Sequence, residues 1–510
     1  MTQATEIQPN LTGGRLLARN TIWNLVGLMS PVVVGLVVLP PLIRTMGVTR
    51  FGVLSLAWIV IGYFSMFDLG IGRALTKLVA DKLGTREEHV IPSLVWTSLV
   101  LMLLLGVVGS LTMWATSRWI VHRILRVPQE LQTETLRSFF LLGASIPIVT
   151  VTSGLRGVLE AQQRFRVLSF IRIPMSIFSL TGPLLVLPFS HSLVPVIGVL
   201  TIGRMAGAVA HLIACLRAMP SLGRSIVVER SLAGPLMRIG GWMTVSNIIA
   251  PIIVYVDRFL IGALLSIAAV TYYTAPFDTI NRLLIVPGAL AGVLFPAFAV
   301  SLMQDPQRTV LLLGRGVKYV FLVAFPTVLL IVAFAPEGLR LWLGPAFAAN
   351  SSAVTRWLAA GIFINCLAQM PFSLVQGVGR PDVTAKVHLV QLPLYLLALW
   401  WLVKIDGIEG AAIAWVLRVG IEAVVLFAAA HTLLPKRPEF LRILGVVTCL
   451  GLVTFYGVAI PGALQLRIGI VAGLLLLFVL VVWMWVLAPE ERAFLQRLPG
   501  TWNVKTKAAS

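Results

Sequence analysis

Apolar stretches of twenty or more residues, separated by short polar connectors, recur along the chain from residue 20 to residue 488. A helix rising about 1.5 Å per residue needs about 20 apolar residues to cross a hydrocarbon layer about 30 Å thick. The runs are continuous, without the ten-residue alternation of a membrane barrel, so each is expected to be a helix. The pattern predicts fourteen spans, over 20–43, 52–79, 90–116, 135–158, 167–189, 195–217, 238–263, 269–299, 314–336, 353–377, 384–403, 410–433, 441–460 and 468–488. Their ends are defined to about four residues. The expected fold class is therefore an all-α polytopic membrane protein. Residues 1–19 are a polar tail, and the run that follows is too long for a cleaved signal peptide, so it is expected to stay as the first span.

Composition agrees with that pattern. Of 510 residues, 58% are hydrophobic and 12% charged, and the mean hydropathy is +0.94, far from the soluble balance of about half apolar and a quarter charged. A net charge of +20 would raise a nucleic-acid reading in a soluble protein. No zinc-finger, ribonucleoprotein or basic-zipper pattern accompanies it, and the basic residues lie mostly in connectors, where they set topology and attract anionic lipid headgroups. Membrane lipids, not nucleic acid, are the partners this charge implies. One side of the expected topology collects 24 Lys and Arg and the other 10. Positive connectors stay cytoplasmic, which puts both termini in the cytoplasm.

A weak repeat appears when the chain is slid by 220 residues, laying Ser30-Pro31-Val32-Val33-Val34 on Ala250-Pro251-Ile252-Ile253-Val254. Six spans separate the copies, so both keep one orientation, as parallel repeats about an axis along the membrane normal would. The expected organisation is an N-lobe of helices 1–6 (20–217), a cytoplasmic linker (218–237), a C-lobe of helices 7–12 (238–433), two extra helices (441–488) and a cytoplasmic tail (489–510). The lobes would be related by a pseudo-two-fold axis.

Little in the chain points to enzyme chemistry. No connector exceeds about 25 residues, which leaves no room for a soluble catalytic domain. Walker A and His-Glu-x-x-His patterns are absent, and no metal or cofactor is expected. Cys215, Cys366 and Cys449 each stand alone in an apolar run and read as small buried hydrophobes. His211, inside the sixth span, is expected to be a hydrogen-bonded packing residue. Gly203 with Gly207, and Gly288 with Gly292, have the spacing for close helix contact.

The ionisable residues within spans carry the functional argument, because each costs at least about 2.5–3.5 kcal/mol at the bilayer centre and needs a wet cavity or a partner. They are Asp68 and Arg73 in the second span, Arg172 in the fifth, Arg204 in the sixth, Asp257 and Arg258 in the seventh, Asp278 and Arg282 in the eighth, and Arg418 and Glu422 in the twelfth. Asp278 with Arg282, and Arg418 with Glu422, stand four residues apart and are expected to neutralise each other along one helical face. Arg172 and Arg204 have no acid within a turn or two. Snorkelling toward an interface is the bland alternative for Arg73, Arg172 and Arg204. The N-terminal half holds three such arginines against one acid, the C-terminal half three against three. A cationic N-terminal cavity suits an anionic group such as a pyrophosphate, which planar, permanently charged guanidinium recognises well.

Several segments resemble a known family. Phe67-Asp68-Leu69-Gly70-Ile71-Gly72-Arg73-Ala74-Leu75, preceded by Arg50-Phe51-Gly52, looks like the N-terminal signature of bacterial polysaccharide and O-antigen flippases. Asp257-Arg258-Phe259-Leu260-Ile261-Gly262 with Tyr272-Tyr273-Thr274-Ala275, then Phe295-Pro296-Ala297 and Gln376-Gly377-Val378-Gly379-Arg380-Pro381, are similar to later segments of that family. These flippases belong to the multidrug/oligosaccharidyl-lipid/polysaccharide exporter superfamily. The resemblance implies two lobes alternating access around a cationic cavity, and an undecaprenyl-pyrophosphate-linked glycan carried outward across the bacterial inner membrane for surface polysaccharide export. It also implies a polysaccharide polymerase and a chain-length regulator as protein partners, and coupling to a proton or sodium gradient. On that reading Arg73, Arg172, Arg204, Arg258 and Arg282 bind the substrate, and Asp68, Asp257, Asp278 and Glu422 are the candidate ion carriers. A drug/cation antiporter of the same superfamily would favour acids over arginines in its cavity, and an enzyme acting on lipid-linked sugars would present a larger outer loop.

Overall fold

The computed structural model describes residues 33–66, 71–84, 87–162, 164–232, 252–434 and 464–487, with isolated positions beside these segments. Asp68, the side chain of Arg73, half of the positions in the two repeat copies, the end of the inter-lobe linker, most of 441–460, residues 1–19 and most of 489–510 lie outside the described residues. All regular structure among the described residues is helical. Eight of these helices are long and apolar enough to cross a membrane, and Val33–Met46 and Val48–Val60 are shorter apolar helices. The polytopic all-α class read from the hydrophobic runs is the observed one. The chain divides into two compact units, Met1–Thr279 with Leu399–Ala411, and Ile280–Ala398 with Ala412–Ser510.

In the first unit, α1 (Val33–Met46) passes into α2 (Val48–Met66) through Gly47, whose φ of 81° favours glycine. There follow α3 (Ile71–Gly84), α4 (Ile91–Trp119), α5 (Gln129–Ala161), α6 (Phe165–Val186) and α7 (Leu193–Ala218). A helix over 252–264, α8, turns tightly into α9 (Ile267–Ile280). One core cluster joins Ala74, Leu75 and Val79 of α3 to Leu94 and Leu99 of α4, Leu155 and Leu159 of α5, and Cys215 of α7. Cys215 is buried as a small hydrophobe, its thiol donating to the Leu155 carbonyl at 3.2 Å. His211 is buried and bonds through Nδ1 to the Gly207 carbonyl at 2.7 Å, the packing role expected of it.

Two polar ties fix the helix ends of this unit. Glu134 of α5 holds Arg50 of α2 at 3.3 Å and accepts the Leu193 backbone N–H at the start of α7, where an orphan donor needs a partner. Farther along, a Cβ on Gly203 would stand 2.6 Å from the Phe178 ring, and one on Gly207 would stand 3.1 Å from Met175 Sδ. These two glycines therefore let α6 lie close against α7, as their spacing predicts. Gly288 does not follow suit, since a Cβ there would meet nothing within 4 Å.

The second unit contains α10 (Ile285–Gln304), α11 (Pro306–Ala333), a short α12 (Ala335–Trp342), α13 (Pro345–Gly377), α15 (Leu464–Val481) and both ends of α14 (Pro381–Leu433), whose middle, Leu399–Ala411, belongs to the first unit. Asp305 caps α11 by accepting from the N–H groups of Gln307 and Arg308 at 3.0 and 3.2 Å. Phe321 and Phe325 of α11, Phe363 of α13 and Phe478 of α15 form an aromatic core, with Phe325 stacked on Phe478 at 4.8 Å. The eleventh and twelfth expected spans are the two limbs of α14, which breaks at Asp406 and Gly407. Gly407 has φ 58° and ψ −132°, a conformation that permits the reversal because glycine lacks a Cβ. The eighth expected span, 269–299, is interrupted: α9 stops at Ile280, Asn281–Leu284 winds as a 3-10 turn, and α10 starts at Ile285.

Candidate functional site

Three groups of intramembrane charge are described, each built differently. The most enclosed lies on α8 and α9. Asp257 and Arg258 stand side by side on α8, 0% and 1% exposed. The turn at Leu265 and Ser266 folds α9 back so that Tyr273 and Asp278 reach them. Arg258 Nη2 donates to Asp278 Oδ1 at 2.8 Å and Nη1 to the Val254 carbonyl at 3.0 Å. Tyr273 donates its hydroxyl to Asp257 Oδ2 at 2.7 Å, and the Arg258 backbone N–H donates to Oδ1 at 2.8 Å. Phe277 and Tyr255 rings sit 4.5 and 5.2 Å from the guanidinium, where a cation gains from the ring quadrupole.

This arrangement changes the sequence reading in two places. Asp278 is given to Arg258, and the α-helix ends at Ile280, so the four-residue register expected for Asp278 and Arg282 is not kept. Arg282 lies exposed in the 3-10 turn. Arg258, expected to face substrate, is enclosed by two carboxylates, a carbonyl and two rings, with its buried Nε left without a hydrogen-bond partner among the described residues. Two carboxylates around one guanidinium leave one negative charge over, and the Asp278 side chain is 50% exposed.

The second group is cationic. Arg204 of α7 is partly buried and donates through Nη1 to Ser145 Oγ of α5 at 3.1 Å. Ser145 in turn donates to the Leu142 carbonyl at 2.7 Å. No carboxylate pairs with Arg204 among the described residues, so its charge is met by a neutral hydroxyl. Arg172 is exposed on α6, and the backbone of Arg73 lies in α3.

The third group spans the two limbs of α14. Arg418 Nη1 reaches Glu422 Oε2 at 3.3 Å, the expected intrahelical pair. His388 Nε2, from the other limb, lies 3.2 Å from Glu422 Oε1. Tyr395 and Trp415 rings lie 5.6 and 6.0 Å from the Arg418 guanidinium, and Gln391 donates to the Arg418 carbonyl at 3.4 Å. His388, Tyr273 and Ser145 were not among the candidate residues. Each is brought to its charge by a tertiary pairing that no spacing along one helix reveals.

A fold of long apolar helices with charges buried between them has clear relatives. The model of the polysaccharide biosynthesis protein family matches residues 17–301. The chain belongs to that family. Over 422 residues it is 28% identical to a Shigella flexneri protein named "Putative O-antigen transporter", covering 80% of this chain and 96% of that one. A Bacillus subtilis relative named "Uncharacterized membrane protein EpsK" is 26% identical over 367 residues, 68% of this chain and 69% of that one. Among solved structures, an inward-facing multidrug resistance MATE family transporter of the MOP superfamily superposes with a TM-score of 0.65 at 16% identity, covering 84% of this chain and 96% of that one. The fold is thus of the MATE transporter type. The resemblance read from the motifs is the family observed.

Proposed function

We propose that this protein is a flippase for a lipid-linked oligosaccharide, an undecaprenyl-pyrophosphate glycan, which it carries outward across the bacterial inner membrane by ion-coupled alternating access. Both termini are cytoplasmic on this reading, and residues 20–217 and 238–433 act as the two lobes. Arg204 carries the argument: a partly buried guanidinium within a membrane span whose described partner is a serine hydroxyl. A permanent cation held that way needs a counter-charge, and a pyrophosphate supplies one with the geometry guanidinium prefers. Arg73, Arg172 and Arg282 are assigned to the same headgroup, while the isoprenoid tail stays in the bilayer.

Arg258 takes a different role, holding Asp257 and Asp278 in place. The extra negative charge of that network is assigned to the coupling cation, a proton or sodium, with Asp68 as a further carrier. Polymerase and chain-length regulator partners would act on the product outside. The test is surface glycan in a strain relying on the R172A/R204A double variant. Loss of surface polysaccharide, with lipid-linked glycan accumulating on the cytoplasmic leaflet and the variant protein still monodisperse in detergent, is the expected result. Normal polysaccharide would remove the assignment.

A further inference from the structure

The two limbs of α14 meet at a charge cluster that neither the substrate arginines nor the α8–α9 carboxylates include. Glu422 sits between two bases, with Arg418 at 3.3 Å on Oε2 and His388 at 3.2 Å on Oε1. Arg418 is permanently charged, so one cation already neutralises the carboxylate. The histidine is then the member whose charge is optional. Its side chain is 25% exposed, against 18% for Glu422 and 9% for Arg418. Only a ring N–H can bond a carboxylate oxygen, so the neutral imidazole carries its proton on Nε2. Nδ1 is then left as an acceptor without a partner among the described residues.

From this geometry we infer that His388 is a proton carrier of the transport cycle, taking up a proton from water at Nδ1 and releasing it there. The inference rests on the ion-coupled transport reading and specifies where one coupling proton binds. Uptake turns a neutral cluster into one of charge +1 and makes the Nε2–H bond to Glu422 charge-assisted, hence shorter and stronger. His388 belongs to one limb and Glu422 to the other, so protonation draws the limbs together and deprotonation loosens them. The break at Asp406 and Gly407 joins the limbs and can absorb the difference.

The surroundings leave the titration to this triad. On the His388 limb, Gln391 is uncharged, Tyr395 lies against Arg418, and Asp382 and Lys386 pair with each other at 3.4 Å. On the Glu422 limb, Trp415 and Arg418 are the near neighbours. Helix α13, whose Gly361 and Ala368 lie against the second limb, carries only Cys366 as an ionisable residue from Trp357 onward. By helix rise, His388 lies about 10 Å in from the Pro381 end of its limb.

The test is ring-nitrogen NMR of the full chain in lipid nanodiscs, where six histidines give few signals and H388Q assigns the one in question. The His388 signal should show a proton taken up and released at Nδ1 as pH is varied. E422Q should lower its proton affinity at least tenfold, because Arg418 then faces the ring unopposed. R418Q should raise it at least tenfold. A signal that does not move with pH, or moves alike in both variants, overturns the inference. The transport arm uses the surface glycan assay: H388Q should lose most export while E422D retains part of it, and full export by H388Q would also overturn the inference. Failure of R172A/R204A to affect glycan, with His388 titrating as stated, would instead count against the flippase reading.

Discussion

Arg258 of α8 donates to Asp278 of α9 across 2.8 Å while the neighbouring Asp257 receives the Tyr273 hydroxyl at 2.7 Å. The pairing closes a buried network in which each member supports the next. Removing one partner of a buried ion pair leaves the other charge uncompensated and costs about 3–5 kcal/mol. R258M should therefore lower the melting temperature in detergent most. D278N should cost less, since the Asp278 side chain is half exposed. Y273F removes one charge-assisted hydrogen bond and should cost about 1.5–3 kcal/mol. The order R258M, then Y273F and D278N, is read from thermal unfolding, and D278N matching R258M would refute it.

The same network marks where sequence reading stops. Hydrophobic run length located the helices well because the bilayer sets their length, and even the paired limbs of α14 were separable from the polar residues around Asp406. Charges inside spans stood out because they are costly. Their partners did not, except where both lay on one helix, as Arg418 and Glu422 do. Asp278 chose Arg258 over Arg282 because a 3-10 turn interrupts the helix at Asn281, and nothing in Asn281-Arg282-Leu283-Leu284 signals that turn. His388 was passed over because its carboxylate is 34 residues away.

Glycine positions give a second prediction. A Cβ on Gly106 of α4 would stand 2.5 Å from both Pro147 Cα and Thr150 Oγ1 of α5. Backbone cannot move aside as a flexible side chain can, so G106A should force the helices apart and cost about 1–3 kcal/mol. Gly420, in the second limb of α14, meets nothing within 4 Å. G420A should be neutral or stabilising by up to about 1 kcal/mol, the helix-propensity difference. Thermal unfolding of the two variants side by side checks the contrast.

The turn from α3 to α4 carries a pH dependence of known sign. Lys82 beside Glu87 holds that carboxyl below the usual carboxylate range, through their hydrogen bond and then their charge attraction. A lowered folded value means the bond contributes above the ordinary carboxylate pKa and is lost as pH falls through the lowered one. Between pH 5 and 8 stability should be indifferent to this pair. Below about pH 4.5, near the unfolded carboxylate value, wild type should lose a small increment that E87Q lacks. Because the pair is exposed to solvent, high salt should erase the difference, and an increment that survives high salt would argue against this origin.

The C-terminal helix is clamped at both ends, and the two clamps differ in strength. Near its start, Arg467 of α15 reaches Glu337 at 3.0 Å and the Ala333 carbonyl at 3.3 Å, with Glu337 37% exposed. Beyond its end, Glu491 accepts from Lys318 Nζ at 2.6 Å and from the Tyr319 hydroxyl at 2.8 Å, with Lys318 only 6% exposed. An exposed pair is worth at most about 1 kcal/mol, whereas stripping the partner from a buried ammonium costs several. E337A should therefore leave stability nearly unchanged and E491A should lower it markedly. K318M/E491A should recover most of the loss, because the methionine leaves no buried charge behind. A double-mutant cycle on thermal unfolding measures the coupling. An additive result would mean that the stacking of Phe325 on Phe478 holds α15 in place without the ion pair.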